Sequence, residues 1–599
     1  MFIYPARNAS GPTIIEALAE LRDEKKEGIV FYADDLSQTL VSFSELYQRV
    51  ISCAENFKES GLEPGDRVGL VVPKPQEFVV CFLGALAARL VPVPMYPPFS
   101  LGKLDTYVSN AAAILEKSQA RVLVTDSKME RILWSLVDRV DSLERVIKTE
   151  TLQTGLGTRR APFVLGEVQL DDIAFLQFTS GSTAAPKGVV ITHKVLLANM
   201  DAFMRAYEIG PGDKALSWLP LFHDLGLIGF VLATCWYGLP TVILPTALFV
   251  KRPALWMQAM HEHQATISCA PNFAFALATR RTTPAQREGL DLSRMRMLGC
   301  GAEPTHPDTI QAFLDAFKPC GLTPESIVSV YGLAENVLGV SFSPLREPIN
   351  VDRVRRDIYL DEGRAEPSGD DDILRFVSVG FTYPGFLIQV VDSDGAELAD
   401  RMVGEILVSG PSMAAGYFND PETSANVFTA AGLRTGDLGY MADGELFLTG
   451  RKKDTIIING RNYDPQSIEW VVQDVPGVRK GNVVAFGVNT NATETLVIIA
   501  ETAATDHEAL HQAILLQVRQ DIGLSVNDIC FLEPGALPKT SSGKLQRSKT
   551  RDAYLAGSLG KEGTRTIGGK ANLDVLARHL ARSAYTKAKT TLGKQFGGP

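Results

Sequence analysis

From about residue 28 to residue 460, short β-branched runs alternate with helix-length segments, and this rhythm constrains the fold more than any other feature of the chain. RVGLVV, RVLVT, DIAFLQFT, TVILP, ATISCAP and RMLGCGA read as buried strands bounded by turn residues, and ELYQRVISCAENFKESG reads as an amphipathic helix stopped by glycine. Repeated strand, helix, strand predicts a mostly parallel, helix-covered sheet whose ligands sit at the carboxyl ends of its strands. A chain of 599 residues exceeds what one core holds, so at least two domains are expected. The rhythm changes near Gly450. A smaller unit follows there, with a helix (DPQSIEWVVQDV), two strands (NVVAFGV, TLVIIAE), a second helix (HEALHQAILLQVRQDI) and a strand (DICFLE). The expectation is an α/β protein: a large N-terminal domain of several subdomains over residues 1–450, a small α+β domain over 451–558, and a tail over 559–599.

Leu225 to Val250 carries no charged residue and is long enough to span a bilayer. Gly238-Leu239-Pro240 divides it into a helix-like and a strand-like half, so a buried helix, turn and strand are expected instead. The seven cysteines are odd in number, scattered and never spaced CxxC, which suggests neither disulfides nor zinc and points to a reducing cytoplasm. The opening MFIYPARNASGPTIIEAL has no basic region ahead of an apolar stretch, so no secretion signal is expected. A net charge of -10 argues against nucleic acid as the main partner. The charge is uneven: residues 561–599 hold eight basic and two acidic side chains, about +6 on a body of about -16. Within that tail Leu573, Leu576, Leu580 and Ala584 recur at helical spacing, with Arg578, Arg582, Lys587 and Lys589 off the stripe. Such a helix either packs its stripe on the C-terminal domain or attracts an acidic partner or an anionic membrane surface.

The strongest local signal is Thr179-Ser180-Gly181-Ser182-Thr183-Ala-Ala-Pro-Lys187-Gly188, directly after the apolar run DIAFLQF. Small residues let backbone N–H groups converge on phosphate oxygens, hydroxyls add donors, and Lys187 supplies a point charge. The spacing is not GxxxxGK[ST], so the common P-loop reading fails. A flexible linker rarely follows a buried strand, makes a PKG turn and enters another strand (VVITH), so a phosphate loop is expected.

Further motifs follow in order: Gly301-Ala302-Glu303-Pro304, Tyr331-Gly332-Leu-Ala-Glu335, Thr435-Gly-Asp437, Gly450-Arg451, and Pro538-Lys-Thr-Ser-Ser-Gly-Lys544. With the phosphate loop they resemble the adenylate-forming superfamily of acyl-CoA synthetases, luciferases and nonribosomal adenylation domains, over residues about 10 to 555. The resemblance implies an N-terminal adenylation domain and a small mobile C-terminal domain, using ATP and Mg²⁺. By the same resemblance Tyr331 and Gly332 flank the adenine, Gly301, Ala302 and Glu303 line its edge, Asp437 and Arg451 hold the ribose, and Thr179 to Thr183 hold phosphates. Glu335 and Thr183 would carry Mg²⁺, Lys453 would be the hinge, and Lys544 would reach into the site from the C-terminal domain. Lys544, Glu335 and Lys187 are the expected catalytic residues, and charge supplies the roles of Lys544 and of Mg²⁺ on Glu335 independently. Attack of a carboxylate on the α-phosphate of ATP crowds anions together, so cations must face both the attacking oxygen and the leaving pyrophosphate. His223 and Asp224, in WLPLFHDLG, and Asn272 and Phe273, in PNFAF, resemble acyl-binding segments. His223 is read as a gate or wall of that pocket; an ionised carboxylate nucleophile needs no general base. The His261-Glu-His263 pair is read as surface, because residues i and i+2 do not share a helix face.

Between Tyr331 and Gly380 lies an extra block, roughly Asn350 to Phe376, whose apolar ends DIYL and ILRF suit docking on a domain face. This block, with FHDLGLIG, SMAAGYFNDPETS and INGRNYDPQSIE, resembles the fatty acyl-AMP ligases. That resemblance implies a fatty acid substrate, a phosphopantetheinylated acyl carrier protein as acceptor and poor use of CoA; a monomer is expected. A docked insertion could restrict the hinge between domains. PLFHDLG and GRNYDP depart from the family's usual P-P-x-H-D-M-G and GRNHYP, so pocket shape does not transfer in detail. The rival enzyme is a medium- or long-chain acyl-CoA synthetase, separated by whether CoA or a holo-carrier yields thioester. A noncatalytic carrier-binding homologue would be expected to have lost Lys544, Glu335 or the Thr179 loop, and all are present.

Overall fold

A computed structural model describes residues 7–98, 104–154, 165–179, 186–370, 372–458, 461–490, 493–540, 543–560 and 573–596. The β-branched runs build a central nine-stranded sheet. Six of its strands run parallel in the order Ile327–Gly332, Met297–Cys300, Ile267–Ala270, Ala215–Ser217, Thr241–Ile243, Gly28–Tyr32. Antiparallel strands close both edges, Gln38–Ser42 on one side and Gly339–Phe342 with Phe381–Thr382 on the other. A second sheet of four parallel strands joins Val91–Pro94, Arg67–Val71, Val122–Thr125 and Arg145–Lys148. Helices cover these sheets because the strands are buried on both faces, as apolar runs such as Ile267–Ala270 require.

One expected strand sits elsewhere. Ile173–Thr179 joins neither parallel sheet but pairs antiparallel with Lys187–Thr192, the two ending on either side of the Ser/Gly loop. Its apolar composition is satisfied instead by side chains such as Phe82, whose ring meets Phe175 edge-on at 5.6 Å. The uncharged Leu225 to Val250 stretch forms short helical turns, a left-handed turn at Gly238 (φ 74°) and the central strand Thr241–Ile243. Among the described residues no helix is long and apolar enough to cross a membrane.

A five-stranded antiparallel sheet, with Gly404–Ser409, Gly432–Ala442 and Glu445–Arg451 at its centre, completes the N-terminal domain. The C-terminal domain is separate. Its three-stranded sheet of Val478–Thr490, Thr493–Thr502 and Val526–Leu532 packs with helices Pro465–Gln473 and His507–Asp521 around Ile468, Val472, Ile498 and Ile514.

The block from Asn350 to Phe376 folds as an antiparallel hairpin, Val351–Arg355 with Ile373–Val377, carrying a helix Arg356–Glu362 between its strands. Val354 and Phe376 bury against Tyr440 and Phe447 of the antiparallel sheet. Leu360 packs on the C-terminal core, and Asp361 pairs with Arg461 at 2.5 Å.

The tail forms a helix over Leu573–Phe596. It lies on the N-terminal domain, not on the C-terminal domain, with Leu576 and Leu580 against a core that includes Trp134 and Leu136. Its buried face also differs from the apolar stripe: His579, Ser583 and Thr586 are buried while Ala584 is exposed. The surface they meet is polar, so the side chains that fit it are the ones able to bond it. Ser583 Oγ donates to the Ile132 carbonyl at 2.5 Å, and Thr586 Oγ1 donates to Asp138 at 2.5 Å.

Candidate active site

The carboxyl ends of the parallel strands converge on one region, as their topology requires. Gly301, Ala302 and Glu303 follow the strand Met297–Cys300; Asn272 and Phe273 open the helix after Ile267–Ala270; Tyr331 and Gly332 end the strand Ile327–Gly332. Gly301 has no alternative residue here, since a Cβ would lie 2.5 Å from the Val330 carbonyl oxygen. Ala302 then takes a left-handed backbone (φ 65°), which turns Glu303 inward. The Phe273 N–H donates to Glu303 Oε1 at 2.6 Å, so two strand ends are stitched together. Asn272 Oδ1 accepts the His306 N–H at 3.1 Å.

The antiparallel sheet supplies the opposite wall. Cross-strand pairing sets Asp437 beside Arg451, with Arg451 Nε 2.9 Å from Asp437 Oδ1. The hydroxyl of Tyr331 donates to Asp437 Oδ2 at 2.7 Å. The Asp437 carboxylate therefore joins Arg451 on the neighbouring strand to Tyr331, 106 residues away in the chain. Burial and the Asp437 charge push the Tyr331 hydroxyl well above its ordinary pKa, and the Arg451 guanidinium is stabilised by Asp437 first. Lys453 lies in the same electrostatic neighbourhood, where burial and then Arg451 depress its ammonium.

Lys544 comes from the C-terminal domain. A tight hairpin holds it, in which Lys539 bridges Leu545, the Thr540 N–H donates to the Lys544 carbonyl at 2.7 Å and the Lys544 N–H donates to Thr540 Oγ1 at 3.0 Å. Burial lowers the Lys544 pKa; the carboxylates of Asp224 and Glu303 oppose that shift and Arg451 reinforces it. Asp437 also opposes the shift, so four charged groups act on this ammonium. Glu303 is raised by burial, against which Lys544 and Lys539 act. Burial disfavours the Asp224 carboxylate too, but His223 and Lys544 outweigh it and hold the group below its ordinary value. His223 Nδ1 lies 2.5 Å from Asp224 Oδ1, and Phe222 accepts from Gln177 at 3.0 Å, which fixes the PLFHD turn.

Glu335 stands on the third side. Its Oε1 accepts the hydroxyl of Tyr417 at 2.8 Å, and Lys187 Nζ lies 5.1 Å from the centre of the Tyr417 ring. One hydrogen-bonded carboxylate suits Mg²⁺, which keeps waters and substrate phosphates in its shell instead of demanding an all-protein cage. Ser180, Gly181, Ser182 and Thr183 lie outside the described residues; Thr179 ends the strand before them. His261 Nδ1 accepts the Asp291 N–H at 3.0 Å. His263 bonds Tyr32 at 2.9 Å and is half-buried, so it is less of a surface residue than its spacing suggests. Tyr417 is the site residue that spacing does not reveal: it stands 82 residues from Glu335, and only its place in SMAAGYFNDPETS hints at it.

A parallel α/β core whose strand ends meet a half-buried lysine from a second domain defines an adenylate-forming enzyme. The AMP-binding enzyme family matches residues 20–418, and the Disco-interacting protein 2-like AMP domain matches residues 453–564. Long-chain-fatty-acid--AMP ligase FadD26 of Mycobacterium marinum is 35% identical, covering 92% of this chain and 98% of that protein. Medium-chain-fatty-acid--[acyl-carrier-protein] ligase JamA of Moorena producens is 33% identical, covering 87% and 90%. A Caulobacter vibrioides protein, 33% identical over 92% of this chain and 97% of its own, is instead named as an acyl-CoA synthetase. A solved structure from a study of fatty acyl-adenylate ligases of E. coli and L. pneumophila superposes with a TM-score of 0.86 at 32% identity, covering 92% of this chain and 99% of that one. The chain belongs to the AMP-binding enzymes and, within them, to the fatty acyl-AMP ligases.

Proposed function

We propose that the enzyme activates a fatty acid with ATP and passes the acyl group to the phosphopantetheine thiol of an acyl carrier protein. A carboxylate oxygen of the acid attacks the α-phosphorus, forming the acyl–phosphate bond as the bond to pyrophosphate breaks. The carrier's thiol sulfur then attacks the acyl carbon, AMP leaves, and a thioester remains.

The observation that carries this reading is the position of Lys544. A half-buried ammonium delivered from a second domain, within the electrostatic reach of Asp224, Glu303, Arg451 and Asp437, supplies a cation where the attacking oxygen and the phosphate approach. In this reading Tyr331 and Gly332 flank the adenine, Gly301 to Glu303 line its edge, and Asp437 and Arg451 hold the ribose. Thr179 to Thr183 and Lys187 hold the phosphates, His223, Asp224, Asn272 and Phe273 border the acyl chain, and Lys453 is the hinge. Mg²⁺ on Glu335 would neutralise phosphate charge as pyrophosphate departs.

The insertion supports the carrier over CoA, because Leu360 and Asp361 tie the N-terminal domain to the C-terminal domain. The JamA name supports a carrier acceptor as well, whereas the Caulobacter name favours CoA. Two measurements test the proposal. Lys544→Ala should cut acid-dependent pyrophosphate release by about 10²-fold or more while the fold persists; near-parental rates would sink the assignment. Mass spectrometry after incubation with ATP, fatty acids of graded length, and either CoA or holo-carrier identifies the acceptor. Thioester on CoA alone would overturn the carrier reading and leave acyl-adenylate formation standing.

A further inference from the structure

Glu335 is held by a segment that also holds the strand carrying Lys187. The Ala414 N–H donates to the Glu335 carbonyl at 2.9 Å, and from there residues 415 to 418 run as an added strand along Lys187–Thr192. The Val190 N–H donates to Gly416 at 2.9 Å, the Phe418 N–H donates to Gly188 at 2.8 Å, and Val189 and Tyr417 form an antiparallel bridge between them. Tyr417 is buried at the middle of this run, its ring edge-on to Phe428 at 5.4 Å and its N–H bonded to Ser424 Oγ at 2.8 Å. Backbone and side chain are thus both fixed before any ligand enters. From this position the hydroxyl reaches Glu335 Oε1, and the ring lies beneath Lys187 Nζ.

We infer that Tyr417 is a positioning residue that orients the Glu335 carboxylate toward a divalent cation and aligns Lys187 beside it. The inference rests on the reading of Glu335 as the Mg²⁺-binding residue. A carboxylate bonded through one oxygen presents the other in a defined direction, and such outer partners typically change metal affinity by about 10 to 100-fold. The aromatic face adds a second restraint by attracting the ammonium of Lys187. The two contacts separate by substitution. Tyr417→Phe removes the hydroxyl and keeps the ring; Tyr417→Leu removes both.

Mn²⁺ binding to the enzyme–ATP complex, followed by electron paramagnetic resonance, reads the first contact without any turnover. Tyr417→Phe should weaken Mn²⁺ by about 10-fold or more and raise the Mg²⁺ concentration needed for half-maximal pyrophosphate exchange, with ATP affinity in the absence of metal unchanged. Tyr417→Leu should weaken metal-free ATP binding in addition. Ser424→Ala loosens the same segment without touching Glu335 and should leave Mn²⁺ affinity alone. Mn²⁺ affinity unchanged in Tyr417→Phe, or lowered equally in Ser424→Ala, overturns the inference. Glu335→Gln separates the underlying reading. If it weakens Mn²⁺ and Tyr417→Phe does not, the positioning role alone fails; if it leaves Mn²⁺ binding intact, the metal assignment fails and takes the inference with it.

Discussion

Two segments connect the halves of this molecule, and they differ in what they bury. The insertion hairpin reaches from the N-terminal domain to the C-terminal domain and buries apolar groups, with Phe376 5.2 Å from Tyr359 and 6.0 Å from Tyr440 and Val354 fully buried, while ion pairs such as Arg375–Asp308 at 2.6 Å flank them. The tail helix follows the C-terminal domain in sequence and returns to the N-terminal domain, where its most buried side chains are His579, Ser583 and Thr586. Asp105 takes His579 at 2.7 Å, Glu130 takes Lys587 at 2.6 Å, and Asp138 takes Lys589 at 3.5 Å. Apolar anchoring tolerates small shifts and ignores salt, while hydrogen-bonded anchoring fixes one register and depends on the charge state of its partners. Three of the tail's eight basic side chains, Arg578, Lys587 and Lys589, are paired within the molecule.

The apolar part of the hairpin's anchoring is tested most directly at Phe376. Phe376→Ala should cost about 3–5 kcal/mol of N-terminal-domain stability, read by denaturant unfolding, and the loss should be the same at low and high salt. A loss under about 1 kcal/mol, the ordinary range of a surface change, would mean that the hairpin is not held by its aromatic cluster. Deleting residues 350–376 outright should also raise CoA thioester formation if the hairpin restrains the hinge. A folded, adenylate-forming deletion variant with no such gain would refute the restraint.

Truncation after Leu559 is the counterpart at the tail. Removing the buried Ser583 and Thr586 bonds should cost about 2 kcal/mol, seen as a lower thermal midpoint, with adenylation unchanged. This loss should depend on pH. Burial opposes ionisation of Glu130, but Lys587 and the Trp134 N–H outweigh it, and Thr586 acts likewise on Asp138, so both carboxyls sit below their ordinary values of 4.5 and 3.8. Acids with a depressed folded pKa add stability that is present above those values and fades as pH falls through the lower, folded ones. The truncation penalty should thus shrink on acidification below about pH 4.5. A penalty that is constant with pH would show that Leu576 and Leu580 carry the contact. Transfer to a carrier slowed by truncation at low salt, and not at high salt, would show a steering role.

How much of this was legible in the sequence differs between the same two segments. DIYL and ILRF announced a docked insertion because apolar residues in a charged block have few other destinations, and the hairpin does bury Phe376. The tail's helical period was equally legible, its buried face only in part. A stripe drawn from apolar residues picks Leu576 and Leu580, which do pack on the core around Trp134, but also Ala584, which is exposed, and it passes over Ser583 and Thr586, which bond the Ile132 carbonyl and Asp138. The parallel strands could be read from their uninterrupted apolar runs. DIAFLQFT looked the same and pairs antiparallel, since composition reports burial and not strand direction. In the site, Tyr331 and Asp437 bond across 106 residues; recurring motifs, not local spacing, pointed to both. Tyr417 lay in SMAAGYFNDPETS without a role assigned to it, and its tie to Glu335 emerges only once the strand beside Lys187 is built.

The smallest expected effect is the sharpest test of what the hairpin does. Asp361 and Arg461 are each nearly half exposed, at 47% and 45%, and they pair across the domain boundary at 2.5 Å. Water screens such a pair, so Asp361→Asn should cost only about 0.2–1 kcal/mol and leave Phe376 and its cluster undisturbed. If that pair merely decorates the surface, acceptor use will not change. If it helps hold the C-terminal domain in one orientation, the same free energy appears as a shift in the domain equilibrium. Since about 1.4 kcal/mol is tenfold, CoA thioester formation from preformed acyl-adenylate should then rise by at most about five-fold. Raising salt should reproduce part of that gain in the parent enzyme and none in the variant. Leu360→Ala removes an apolar contact with the C-terminal core and should give a larger gain that salt does not imitate. An Asp361→Asn gain exceeding that of Leu360→Ala would reverse the assignment, making the ion pair and not the apolar contact the element through which the insertion restrains the domain.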